Sequence, residues 1–288
     1  MIDTRKTKLY NLIVQILRQH PMLCYFQGYH DIVQVLLLVL GEAEAISAVS
    51  RISLLRIRDY MLPSLAPALK HLQLIPPLLE SVDPELAQRL SHTRPFFALS
   101  ATLTLYAHDI QEYSDIARLY DFILAHEPVF TIYLFTSIMI SRRVELLDIP
   151  LEEPEMLHFT LSKLPQPLNL EALILGALDL FKHNPPESLP RFAWWRLSSL
   201  SVLKTSRSLK QPHTLEEAEV LFSKQAQALH REELREKGMA FVVKNKRPIV
   251  TVSSALLIGI ISFWLRRNGN DRLIWSLFLR TTEYWKAK

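Results

Sequence analysis

Cysteine is almost missing from this chain. Cys24 stands alone among 288 residues, which excludes an internal disulfide framework and any cysteine-based zinc site, and suits a reducing compartment. Glycine is scarce, with 6 residues, and no glycine-rich phosphate loop is present, so the chain is not expected to bind a nucleotide by itself. There is no Gly-x-Ser-x-Gly nucleophile elbow, and the ten histidines include no His-x-x-x-His pair, so no metal site is expected. No alternating strand pattern of useful length occurs. The first ten residues are polar and charged, without the cleavage pattern of a signal peptide.

Apolar residues make up 49% of the chain and prolines number 17. Apolar positions recur at helical spacing, as in Leu9, Leu12, Ile13, Ile16 and Leu17, and the fold class is therefore all-α. Pro21 ends that first helix, Pro21–Tyr29 reads as a connecting loop, and Asp31 as a cap for a central apolar helix over 32–40 that Gly41 stops. Further helices are expected over 43–61, 65–73, 84–91, 95–108, 113–125, 128–141, 153–164, 169–182 and 187–203, punctuated by prolines. Residues 1–203 form the expected helical domain. Residues 204–248 read as a polar linker and a solvated connecting helix.

Charge is unevenly placed. Residues 231–288 hold 12 Lys/Arg against 5 Asp/Glu, whereas residues 1–230 hold 21 against 24. The basic character lives in the tail, so a nucleic-acid partner is not indicated and basic flanks around a membrane segment are. Ile249–Leu265 is a run of 17 uncharged residues between Lys244, Lys246, Arg247 and Arg266, Arg267, with Trp264 at its end. At 1.5 Å per residue it spans about 25 Å, short for an average bilayer core and close to that of the endoplasmic reticulum. A transmembrane helix over 249–265 is expected, followed by a short basic and aromatic tail, 266–288. That tail either lies in the interface or packs on the span.

The stretch most informative for function is Tyr25-Phe26-Gln27-Gly28-Tyr29-His30-Asp31. It resembles the glutamine-finger motif, Tyr-x-Gln-Gly, of the TBC domain, the helical GTPase-activating domain that acts on Rab GTPases. A second segment, Arg118-Leu119-Tyr120-Asp121-Phe122, is similar to that family's Arg-x-Trp-Asp-x box, with tyrosine in place of tryptophan. The resemblance implies a multi-helix TBC fold in which Gln27 orients the water that attacks GTP. The partner is then a Rab-family GTPase, which carries the GTP and Mg²⁺; the chain needs no cofactor of its own. Tyr25, Phe26, Gly28, Tyr29 and Asp31 are expected to support the site. Arg118 and Asp121 are expected to pair on one helix face, since an unpaired carboxylate on an apolar helix is costly. Tyr29-His30 and the tail anchor look like one branch of the family, anchored in the endoplasmic reticulum and acting in early secretory traffic. A cytosolic domain on the endoplasmic reticulum or early Golgi membrane follows.

Chemistry sets the same demands. Hydrolysis of GTP needs an aligned water and counter-charge for the transition state. A glutamine amide accepts from water and donates to a phosphate oxygen at once. His30 and Asp31, adjacent on a helix start, are not expected to face each other. Trp194-Trp195-Arg196 reads as packing at a domain end more readily than as a partner surface. One departure from the family stands out. Its arginine finger lies in an Ile-x-x-Asp-x-x-Arg motif upstream of the glutamine, and no residue here stands in that context: Arg5 lacks the Ile and Asp, and Asp115-x-x-Arg118 belongs to the later box. The expectation is a domain that lacks its first segment, or a member that binds a Rab without efficient turnover.

Overall fold

The computed structural model describes residues 2–150, 152–208, 210, 213–244, 256–264 and 267, and these are helical without a strand among them. The first compact unit runs Met1–Gln227 and the second Ala228–Lys288.

Helix α1 (Ile2–Gln19) packs along α2 (Tyr29–Leu55). The stripe foreseen for α1 turns inward, with Leu12 and Ile16 buried. Gly41 does break the helical path of α2, with φ 75° and ψ 173°, but the chain resumes helix and continues to Leu55. By length and composition α2 could cross a membrane. Its buried side chains, Ile32, Val33, Val35 and Leu36 before the break and Ala45, Val49 and Ile52 after it, instead line the core of this unit. The helix also begins earlier than expected. Gly28 is its N-cap, and Asp31 sits in its first turn rather than capping it.

Short helices follow: α3 (Ala66–Leu72), α4 (Ile75–Val82), α5 (Pro84–Arg89) and α6 (Leu99–Leu103). Helix α4 was missed because Pro76-Pro77 reads as a breaker. In the first turn of a helix, a missing N–H costs nothing. The helix expected over 95–108 ends at Leu103, because Leu105 and Tyr106 take left-handed backbone, φ 49° and 66°. Helices α7 (Tyr113–Ala125), α8 (Phe130–Ser141), α9 (Arg143–Asp148), α10 (Pro154–Leu161) and α11 (Leu170–His183) complete the core. Helix α8 is apolar all round and buried from Phe130 to Met139, as a central helix must be. Helix α11 approaches it closely: a side chain on Gly176 would meet the Ser137 hydroxyl, which donates to the Leu173 carbonyl at 3.0 Å.

No long helix occupies 187–203. Short helical turns alternate with extended residues there, and Arg191 and Phe192 have φ 60° and 55°. Trp194 is buried, which fits packing, whereas Trp195 is 61% exposed. Helix α12 (Val202–Thr205) and the start of α13 (Leu215–Lys244) then close the unit.

The first compact unit extends past residue 203, where the helical domain was expected to end, to Gln227. The first turns of α13 bury Ala218, Phe222 and Gln225, and Glu219 Oε1 lies 2.7 Å from His20 Nδ1. Gln225 also joins a buried polar cluster. Its Nε2 donates to Asp59 Oδ1 at 2.8 Å, and its Oε1 accepts from Arg58 Nε at 3.0 Å. Asp59 further accepts from His71 Nε2 (2.7 Å), Ser201 Oγ (2.6 Å) and the Val202 amide (3.0 Å). Arg58 donates to the carbonyls of Leu54 and Leu200 and to Thr205 Oγ1. Arg58 and Asp59 are both fully buried. Each is held by several partners, as buried charges must be. The thin apolar stripe of α13 showed none of this in the sequence.

In the second unit, residues 256–264 form helix within the expected span, and its large side chains from Leu256 to Trp264 are exposed. Residues 245–255, 265, 266 and the tail from 268 lie outside the described residues.

Candidate GTPase-facing site

The site is built on the loop between α1 and α2. Its entry is pinned by backbone hydrogen bonds: Leu23 N to His20 O (3.0 Å) and Cys24 N to Met61 O (2.9 Å). Phe26 is buried and packs against Tyr29 and Tyr60, at ring-centroid distances of 5.7 and 6.2 Å. Gly28 is buried with φ 103°, a left-handed conformation that glycine adopts at no steric cost. The loop Thr104–His108 crosses beside it, so closely that any side chain at 28 would strike Thr104 Cγ2. Tyr29 follows, fully buried, its hydroxyl 2.8 Å from Ser53 Oγ. Burial pushes the Tyr29 phenol up to about 12, against a smaller opposite effect of the Ser53 bond.

Between these anchors Gln27 is exposed. Its carboxamide makes no hydrogen bond among the described residues. A side chain pointing to solvent between two fixed neighbours is ready to meet a partner with little loss of order.

Tyr25, 51% exposed, stands beside it, its ring edge-on to Tyr29 and its hydroxyl 3.0 Å from His30 Nδ1. Asp31 is held by two imidazoles: Oδ2 lies 3.1 Å from His108 Nδ1, and Oδ1 lies 3.3 Å from His30 Nε2. The expectation that His30 and Asp31 do not meet is thus corrected. In a first turn, side chains can fold back along the helix end. Tyr120 lies near enough to feel the Asp31 charge, and its buried hydroxyl has no hydrogen-bond partner among the described residues. Burial, and then the Asp31 carboxylate, raises its pKa well above that of a free phenol. Asp109 is raised as well, by burial, with His108 opposing and Asp31 adding.

The second box is assembled differently from the sequence reading. Leu119, Tyr120 and Phe122 are the buried members, and Asp121 is exposed with no ion pair among the described residues. Arg118 does not reach it. Arg118 Nε lies 2.7 Å from Glu171 Oε1 on α11, and both side chains are substantially exposed. A spacing of three places residues on one face but does not oblige them to pair when a longer-range carboxylate is better placed. Tyr120, named only as a substitution for tryptophan, is the residue of the box that feels the Asp31 carboxylate beyond the glutamine loop. Thr104 and His108 were missed, because neither has a sequence signal that ties it to a loop 77 residues away. Gly28 alone hinted that something must approach closely there.

An all-helical unit that presents a glutamine from a pinned loop at a helix start matches the Rab-GTPase-TBC domain family over residues 3–147, and the chain belongs to that family. Among named relatives, it is 39% identical to TBC1 domain family member 20 of Bos taurus over 188 residues, 65% of this chain and 46% of that protein. It is 31% identical to the Mus musculus protein of the same name over 256 residues, 88% of this chain and 63% of that one. It is 31% identical to the GTPase-activating protein gyp10 of Schizosaccharomyces pombe over 210 residues, 72% and 56% of the two chains. The matches thus cover about half the length of these curated relatives.

Proposed function

We propose that this chain is a GTPase-activating protein for a Rab-family GTPase and that Gln27 is the residue it inserts into the partner's nucleotide site. The observation that carries the reading is the exposed, unbonded carboxamide of Gln27 between the buried anchors Phe26 and Gly28. The name of the fission-yeast relative, a GTPase-activating protein, points the same way.

In this reading the GTPase brings GTP and Mg²⁺. The Gln27 carboxamide oxygen accepts a hydrogen bond from the attacking water, and its amide nitrogen donates to a γ-phosphate oxygen, aligning the water for in-line attack. Tyr25, Tyr29 and Phe26 hold the loop. Asp31, His30 and His108 form a polar rim beside it. Arg118 and Asp121, both exposed, are available to the partner rather than to each other.

A second reading is favoured by one sequence fact: no Ile-x-x-Asp-x-x-Arg segment occurs in the 288 residues. An arginine finger is worth about 10³–10⁵ in rate. Without one the chain would bind a GTP-loaded Rab and stimulate it weakly. Measuring both association and hydrolysis across a panel of early-secretory Rabs separates the two. Fast association with little hydrolysis supports the binding module, strong hydrolysis supports the activator, and failure to associate with any GTP-loaded Rab removes both.

The reading places the domain in the cytosol on an endoplasmic-reticulum or early Golgi membrane, held by Ile249–Leu265. The exposed apolar helix at 256–264 and the flanking charges support an anchor. Alkaline carbonate should leave the full chain in the membrane pellet and release a form cut after residue 243. Release of the full chain would remove the anchor.

A further inference from the structure

A cavity of about 250 Å³ opens between the end of α2, the end of α7 and the residues Thr205, Ser206, Ser208 and His213, and shares no residue with the glutamine loop. It has room for far more than the ~30 Å³ that one water occupies in the liquid. Its floor is apolar, from Leu55 and Leu124; its polar lining includes Arg51, Arg56, Ser206 and His213.

The charges in this lining are unbalanced. Arg56 is half-buried at the C-cap of α2. It donates to the Leu124 carbonyl in the last turn of α7 at 2.7 Å and to the carbonyl of that helix's C-cap residue, His126, at 2.5 Å. These offset part of its charge through the negative end of the helix, but no carboxylate among the described residues pairs with it. Burial pushes its pKa down, and no acidic neighbour opposes that shift. Arg51 is exposed and has no ion-pair partner among the described residues. The Ser206 hydroxyl oxygen is buried and makes no hydrogen bond among the described residues. One carboxylate stands near the rim. Glu217 lies 3.1 Å from His213 Nδ1 and is already engaged by the Thr214 amide at 3.0 Å. Two guanidinium groups, a spare hydroxyl and an imidazole around an open cavity make a receptor for a compact, multiply charged anion with tetrahedral oxygens.

We propose that this cavity binds a terminal phosphate group, with Arg51 and Arg56 supplying the charge and Ser206 a hydrogen bond. The ligand is either free phosphate or the phosphorylated headgroup of a lipid. The inference does not depend on the role of Gln27.

The test is calorimetric titration of the full chain in an uncharged detergent with two probes, sodium phosphate and the headgroup analogue inositol 1,4-bisphosphate. Saturable binding of either probe is expected, weakened about tenfold or more in Arg51→Gln and in Ser206→Ala. Binding of the inositol bisphosphate alone identifies a lipid source, and equal binding of both identifies free phosphate. Arg56→Gln also loses two carbonyl bonds and can fail to fold, so the two other variants carry the test. Rab association of Arg51→Gln should match that of the parent. No saturable binding of either probe, or binding undiminished in both Arg51→Gln and Ser206→Ala, overturns the proposal.

Discussion

The β-carbon that Gly28 lacks would lie 2.6 Å from Cγ2 of Thr104, well inside contact distance, on a backbone already at φ 103°. Two separate penalties therefore meet at one position: a steric overlap with the crossing loop and a left-handed conformation that other residues rarely adopt. Gly28→Ala should destabilise the domain by about 1–3 kcal/mol. Adding Thr104→Ser removes the methyl group and should recover only part of the loss, since the backbone strain remains. Urea unfolding of the single and double variants checks this. Full recovery in the double variant would mean that the backbone term is negligible.

Asp59 gives a pH-dependent prediction. Burial alone would raise its pKa, but hydrogen bonding to His71, the charge of His71, and the bonds from Ser201 and Gln225 outweigh it and hold the carboxyl at about 2, below its ordinary 3.8. A depressed carboxylate stabilises the fold at pH above its unfolded value and loses that contribution as pH falls through its folded value. The contribution is on the order of 2 kcal/mol, complete above about pH 4 and lost toward about pH 2. Asp59→Asn should remove at least this much at neutral pH and flatten the dependence of the melting temperature on pH between those limits. An acid limb unchanged in the variant would show that another carboxyl dominates.

Asp121→Ala should leave stability within about 0.5 kcal/mol of the parent, because Asp121 is exposed and unpaired among the described residues. Arg118→Ala should cost no more than about 1 kcal/mol, the value of an exposed pair such as Arg118–Glu171. Thermal melts of both variants decide it. A large loss for Asp121→Ala would restore the internal pair suggested by the residue spacing.

These cases show which parts of the molecule can be read from the sequence. Periodic apolar stripes located α1, α7 and α11, because packing of one face dominates their formation, and a continuous apolar run located α8. The glutamine loop was legible because Gln27 and Gly28 are unusual residues in a short pattern. Segments with two tight helix-breaking signals were misread in both directions: Pro76-Pro77 opens α4, while 187–203 holds no long helix, its chain turned at Arg191 and Phe192. The least legible features were long-range ones. Asp31 meets His108, Arg118 meets Glu171, and Asp59 meets Gln225 across 77, 53 and 166 positions. Nothing local marks either member of such a pair. The cavity at Arg51 and Arg56 is of the same kind.

The most direct test of the central claim is single-turnover hydrolysis by a GTP-loaded Rab that binds the chain, with parent and Gln27→Ala compared at saturating concentration. Gln27 is exposed and bonds to nothing within the described residues, so the variant should fold and melt like the parent. The predicted result is stimulation by the parent and a fall of about tenfold or more in the variant, worth about 1.4 kcal/mol in the barrier, with Rab affinity little changed. Equal hydrolysis rates for the two proteins would contradict the assignment of Gln27 as the residue that acts on the GTPase.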